Sequence, residues 1–295
     1  MNLGLFVQSL LAGVINGLIY ALIGIGIAVI FKGSKVPNAM QGEFSVVGAI
    51  AVVLGLTNAG YPYWVAIVGG CLSGIALGAL IEIVFIRYMV RRNAPEDSYT
   101  LFTMGVSLTI GAAVLYFFGR EGHLTPGFGS GRVFIVFDAV VMEHAIWLVV
   151  IACALTFALR EFYRRTSIGL KMTAASIDGD GAASIGIDVP LMRTLTFMLG
   201  GLLGAIAGIL ITPLIPVDYN VGLPLTLKGF AAAILGGLAN PLGAAVGGLT
   251  IGIVEAMVIM GVSSSYKDVI TYGLLIVIMI VLPHGMLGRG GRKGG

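Results

Sequence analysis

Apolar residues along this chain gather into long blocks rather than into alternating or one-sided patterns. Runs cover Leu5 to Phe31, Glu43 to Leu56, Trp64 to Ile86, Tyr99 to Phe118, His144 to Leu159 and Leu191 to Ile211. A Gly-rich pair follows, Leu225 to Leu238 and Leu242 to Met260, and the last block is Val269 to Leu282. About 20 such residues cross the hydrocarbon layer as a helix. In lipid every backbone polar group must be bonded within its own segment, which selects helices. The short alternating segments of a membrane barrel are not seen. The expected fold is all-α: a polytopic transmembrane helix bundle of about eight or nine spans. The Gly-rich pair is short or interrupted by Gly and Pro, so broken or re-entrant helices are expected there.

Composition agrees with the pattern. The chain is 58% hydrophobic and 11% charged, where a soluble domain carries about a quarter charged residues. Its 295 residues are used up by the spans, so residues 1–295 read as a single membrane domain. The opening MNLGLFVQSLLAG has no basic n-region and reads as the start of the first span. Cys71 and Cys153 sit inside apolar runs and read as small buried hydrophobes.

The basic residues form no patch with interleaved aromatics, which argues against nucleic acid as a partner. They mark the connections instead. One side collects Lys32, Lys35, Arg87, Arg91, Arg92, Arg160, Arg164, Arg165, Lys171, Arg193, Arg289, Arg292 and Lys293. The other side receives only Arg120, Arg132, Lys228 and Lys267. Lys and Arg accumulate on the cytoplasmic side, so the first set is expected inside, with the N-terminus outside and the C-terminus in the cytoplasm. That requires an odd number of crossings. Glycines recur every fourth residue at Gly70, Gly74 and Gly78, at Gly200, Gly204 and Gly208, and at Gly243 and Gly247. Such faces let helix backbones approach closely.

Three connections are longer than a turn. Gly119–Glu143, outside, holds a β-like run from Arg132 to Phe137. Ile211–Leu225, also outside, holds Pro213, Pro216 and Pro224. Arg160–Pro190, inside, is polar and carries Ala174, Ala175, Ala182 and Ala183 around a break at Asp178-Gly179-Asp180-Gly181. Two short helices are expected there, with Asp188 and Pro190 opening the next span. A calcium loop would need a bidentate Glu at its twelfth position, which is Val189. The segment reads as a solvated loop or as a docking element for a soluble partner.

Charges within membrane spans are costly and mark interiors or pathways. Glu43, Glu82 and Glu255 are the candidates. Glu43 follows Asn38, Gln41 and Gly42, which suits either a broken helix lining a path or a helix cap at the membrane boundary. Glu82 lies five residues before Arg87 and suits an interfacial pair. Glu255, deeper, suits an interior polar network. Asn16 and Tyr20 share a helical face and suit either a path lining or a bond to a neighbouring helix.

Three stretches in order carry a resemblance that covers nearly the whole chain. In the polar loop, Thr166, Gly169, Ala174, Asp178, Ala182, Gly186 and Ile187 follow the order Thr-x-x-Gly, Arg-Ala, Asp, paired small residues and Leu-Gly-Ile. Thr173 stands where Arg is usual, and Ile177 where an acid is common. Asn16 to Gly26 with Asn38 to Phe44 is similar to a first span and an Asn-Phe-Ala-His-Gly-Glu-Phe entry to the second, Gln41 replacing His. Phe230 to Leu238 with Pro241 to Glu255 is similar to a late Gly-rich pair. Together they resemble the LivH-type permeases of branched-chain amino acid ABC importers, the hydrophobic amino acid uptake family.

The resemblance implies that residues 160–190 hold the coupling helix that inserts into an ATPase subunit. It implies a second related permease in a heterodimer, two ATP-binding subunits and a periplasmic or extracellular substrate-binding protein, all working at a bacterial inner membrane. No cofactor is expected in this chain. ATP and Mg would sit on the partner ATPase subunits, because no Gly-x-x-x-x-Gly-Lys-Ser/Thr pattern occurs here. Branched-chain or other hydrophobic amino acids are the expected substrates, with urea, amides or aromatic acids as alternatives. An ion-coupled secondary transporter would want buried acids paired with His or Lys, whereas His123, His144 and His284 fall near span ends. An intramembrane enzyme would need a nucleophile–base pair or a His-Glu-x-x-His set, and neither occurs.

Overall fold

A computed structural model of the chain describes residues 3–129, 131–136 and 139–261, with a few single positions between 269 and 286. The predicted last block, Val269 to Leu282, falls largely outside the described residues, as do Phe137, Lys267, His284, Arg289, Arg292 and Lys293.

Each apolar block within the described residues becomes a helix. They are α1 (Leu3–Ser34), α2 (Gln41–Thr57), α3 (Tyr63–Ile81), α4 (Arg87–Arg91) and α5 (Glu96–Phe118). After a hairpin come α6 (Glu143–Arg165), α7 (Ser167–Ile177), α8 (Gly179–Ser184), α9 (Val189–Ile211), α10 (Gly222–Gly236) and α11 (Pro241–Gly261). A π-helical turn, Glu82–Ile86, joins α3 and α4 into one rod. Among the described residues six helices are long and apolar enough to cross a membrane, while α2 and α10 are shorter apolar helices. The β-like run forms β1 (Val133–Val136), antiparallel to β2 (Ala139–Met142). β2 lies beyond the expected β-like run. Pro224 lies in the first turn of α10 rather than in the preceding loop.

The bundle is centred on α1 and α9, which are largely buried, whereas the α3–α4 rod, α5 and α6 turn most of their surface outward. The glycine series explains how these helices close together. A Cβ at Gly74 would meet the carbonyl of Gly201, and one at Gly78 the carbonyl of Phe197, so α3 lies on α9 backbone to backbone. Gly208 touches Ser45 of α2, and Gly247 touches Ala232 of α10. Gly13, Gly17, Gly248 and Gly252 interleave α1 with α11.

A leucine at Gly208 is therefore expected to force α2 and α9 apart and to destabilise the bundle by more than the ~1–3 kcal/mol of ordinary overpacking. Gly105→Leu, a position with open space around it, is the control and is expected to change stability by under about 0.5 kcal/mol. Thermal unfolding of both variants in one detergent checks this.

At one end of the bundle the basic residues converge. The Lys32 ammonium stands 4.3 Å from the ring centroid of Tyr163, tying the end of α1 to the end of α6. Arg87 donates to Thr194 Oγ1 at 2.8 Å, and Arg193 to Glu82 Oε1 at 3.0 Å, tying the end of the rod to the start of α9. The loop bearing α7 and α8 closes the same end, with Met172, Ala175 and Ala182 inside the main core.

Candidate translocation site

The polypeptide breaks between α1 and α2. Lys35 takes a positive φ of 58°, and residues 35–40 carry no regular structure before α2 begins at Gln41. An interrupted segment inside a membrane bundle leaves backbone groups to be bonded by something other than its own helix. Side chains do that here. Asn38 Oδ1 accepts from the Met40 amide at 3.1 Å, and Asn38 Nδ2 donates to Gln41 Oε1 at 3.0 Å. Gln41 Nε2 donates to the Gly200 carbonyl at 2.9 Å. Thr103 Oγ1 of α5 accepts from the Ala39 amide at 3.1 Å, and Thr226 Oγ1 of α10 from the Gly42 amide at 2.8 Å.

These bonds fix the depth of the break. Gly200 is the midpoint of α9, so Gln41 and the start of α2 lie near the middle of the bundle. Of the two readings for this stretch, boundary cap or internal break, the geometry is that of an internal break. The start of α10 meets it there, because a Cβ on Gly222 would run into the Glu43 carboxylate. Two helix N-termini thus face one another around Glu43. Glu43 is 2% exposed. Its Oε1 accepts from Ser107 Oγ of α5 at 2.9 Å, and its Oε2 is buried without a hydrogen bond. It lines a cavity of about 400 Å3 with Ser107, Leu108, Gly111, Ala112 and residues 219, 220, 223 and 224.

A second polar centre joins α1, α10 and α11. Lys228 Nζ donates to Glu255 Oε1 at 2.8 Å and to Tyr20 Oη at 3.1 Å. This corrects the placement of Lys228 in an outer connection: α10 begins six residues earlier, at Gly222, and carries Lys228 into the bundle, where it is buried. Tyr20 and Glu255 are brought together, and Asn16 sits half-buried one turn away on α1. A third centre holds Glu82, fully buried, between Arg87, Arg193 and Thr194. Each of these two acids has its cation within the chain.

The loop of residues 160–190 is built from caps and corners. Thr166 Oγ1 accepts from the Gly169 amide at 3.0 Å, capping α7. A Cβ on Gly169 would strike the Phe162 carbonyl, so glycine is what permits the sharp turn out of α6. Asp178 caps α8 by accepting from the Gly181 amide at 2.9 Å, and Asp188 caps α9 by accepting from the Leu191 amide at 3.0 Å. Gly186 ends α8 with a φ of 84°, the left-handed conformation favoured after a helix. Ala175 and Ala182 point into the core, Ala174 is half-buried and Ala183 is exposed. The residues that stand out from the loop are Ile177 and Ile185, each 76% exposed. Neither was singled out as a contact from the sequence, although two isoleucines flanking an Asp-Gly break in a polar stretch are a readable signal.

A many-spanning helical bundle with a helix broken at mid-depth, its ends held by small residues and a buried acid beside a cavity, is the build of a membrane permease. Comparison with known proteins agrees. Residues 9–279 match the family described as the branched-chain amino acid transport system / permease component, and the chain belongs to that family. It is 29% identical to the high-affinity branched-chain amino acid transport system permease protein LivH of Escherichia coli (strain K12) over 96% of both chains. Identity is also 29%, again over 96% of each, with the permease protein BraD of Pseudomonas aeruginosa. Among solved structures, a chain of PsaBC from Streptococcus pneumoniae in complex with Fab shares the fold, with a TM-score of 0.51 at 14% identity, covering 97% of this chain and 93% of that one.

Proposed function

We propose that this chain is the membrane half of an ABC importer that carries branched-chain or other hydrophobic amino acids into the cell. The observation that carries the reading is the family match along 9–279, joined to a largely apolar cavity beside Glu43. An aliphatic substrate suits the apolar walls formed by Leu108, Ala112 and Leu223. Weak polar contacts let it leave again, and a separate binding protein outside the membrane supplies affinity.

In this reading residues 1–295 act as one permease domain in a bacterial cytoplasmic membrane. The basic end, bearing Lys32, Arg87, Arg160 and Lys171, faces the cytoplasm, following the preference of Lys and Arg for that side. ATP and Mg are held by two ATPase subunits, which dock on the loop of residues 160–190. A second, related permease completes the channel. ATPase closure pushes on α7 and α8, and the corner at Thr166 and Gly169 passes the movement to α6 while Asp188 passes it to α9.

Proteoliposomes holding the chain with its paired permease, its ATPase subunits and its binding protein test this. ATP-driven uptake of leucine, abolished when the ATPase subunits are omitted, is the expected result. Uptake that follows an imposed ion gradient without ATP would instead identify a secondary transporter.

A further inference from the structure

Among the described residues three carboxylates lie buried in the bundle, and two of them are met by a cation of the chain. Glu82 has Arg87 and Arg193, and Glu255 has Lys228. Glu255 keeps one oxygen unbonded, but its charge is already met. Glu43 differs on two counts. Among the described residues no lysine or arginine lies within ion-pair distance of it, and its unbonded Oε2 belongs to a carboxylate that lines a cavity. An unmet carboxylate at this depth is costly, and a mobile cation that enters the cavity offsets that cost.

The start of α10, which abuts Glu43 at Gly222, supplies the complement. α10 starts at Gly222 without a side-chain cap, its N-cap being Val221. The amides of Gly222 and Leu223 therefore have no intrahelical acceptor, and Leu223 and Pro224 line the same cavity as Glu43. Helix N-termini favour anionic groups. One small cavity thus presents a carboxylate acceptor and a helix N-terminus side by side, with Leu108, Ala112, Leu223 and Pro224 as apolar wall. At about 400 Å3 it is at the small end of ligand pockets, the right scale for a single amino acid.

Resting on the permease reading above, we propose that this cavity is the point at which a zwitterionic amino acid pauses inside the membrane. Glu43 Oε2 accepts from the α-ammonium, the α10 N-terminus faces the α-carboxylate, and the aliphatic side chain lies on Leu108 and Ala112. Selection for a primary ammonium then takes place in the permease itself as well as in the binding protein. Ser107, on the far oxygen of Glu43, is a positioning residue that orients the carboxylate.

The test uses the complete complex in proteoliposomes. Glu43→Gln is expected to cut leucine uptake at least tenfold, with co-purification of the ATPase subunits unchanged, and Glu43→Asp to recover part of it. Uptake by E43Q within twofold of the unmodified complex overturns the inference and leaves the permease reading standing. If E43Q fails to assemble, Ala112→Phe fills the cavity from an exposed wall. The same tenfold loss is then expected, and full uptake overturns the proposal.

An unmodified complex that takes up no leucine counts against the substrate reading, and the site is then read directly. Labelling of Glu43 by a hydrophobic carbodiimide, located by mass spectrometry, is expected to be slowed several-fold by isopentylammonium and not by 4-methylpentanoate. Labelling indifferent to both, or slowed equally by both, overturns the proposal.

Discussion

Replacing Lys228 with methionine is expected to destabilise the bundle by about 3–5 kcal/mol, the usual cost of breaking a buried ion pair from one side. Lys228 is 7% exposed and Glu255 2% exposed. Removing the ammonium strips Glu255 Oε1 of its 2.8 Å partner and Tyr20 Oη of its 3.1 Å donor. Glu255 Oε2 already lacks a hydrogen bond, so the carboxylate would be left buried without a cation. The double variant Lys228→Met with Glu255→Met removes both charges and is expected to recover most of the loss, because apolar replacement of a whole buried pair is often neutral or stabilising. Unfolding of the single and double variants in one detergent gives the coupling between the two positions. A double variant as unstable as K228M would mean that the pair holds the helices by packing rather than by charge.

That pair also shows where sequence reading stops. Both charges are plain in the sequence, each alone in an apolar stretch, but 27 residues separate them, and only the antiparallel return of α11 on α10 brings them together. Lys228 already falls inside the expected block Leu225 to Leu238; counting it with the outer basic residues followed from its place near the start of that block. Its burial comes from the meeting of α10 with α1 and α11, which no linear pattern shows.

Local features were readable. The blocks became helices because lipid leaves the backbone no other partner. Asp188 and Pro190 opened α9, and the break expected over residues 178–181 narrowed to Asp178, which caps α8 while Gly179, Asp180 and Gly181 form its first turn, because a short acid that accepts a backbone amide is a cap wherever it sits. The glycine spacings marked the close helix contacts for the same reason: a missing Cβ is visible in the sequence. The depth of the break at residues 35–40 was not readable. It is set by Thr103, Ser107 and Thr226, hydroxyls on two distant helices. In a sequence they look like any other small polar residues, since Ser and Thr also bond harmlessly to their own helix. The cavity beside Glu43 is likewise a product of three elements and has no linear motif.

Changing Ile177 and Ile185 together to glutamate is expected to weaken capture of the ATPase subunits by at least about thirtyfold, equivalent to one interface hot spot of about 2 kcal/mol. Both side chains stand 76% exposed at the ends of α7 and α8, at the basic end of the bundle. Neither has a place in the chain's own core, so the melting temperature of the isolated permease is expected to stay unchanged. That separates them from Ala175 and Ala182, which the sequence marked instead but which are buried against the bundle. A charge at Ala182 should lower the melting temperature before any partner is added, because it forces an unpaired ion into an apolar contact. Co-purification of the ATPase subunits with the double isoleucine variant, alongside Ala182→Glu and the unmodified chain, distinguishes docking from folding. Full capture and coupled ATP hydrolysis by the double variant would move the docking surface away from α7 and α8. Loss of capture with unchanged stability would locate the lever at these two apolar tips, with Thr166, Gly169, Asp178 and Gly186 as the frame that holds them out.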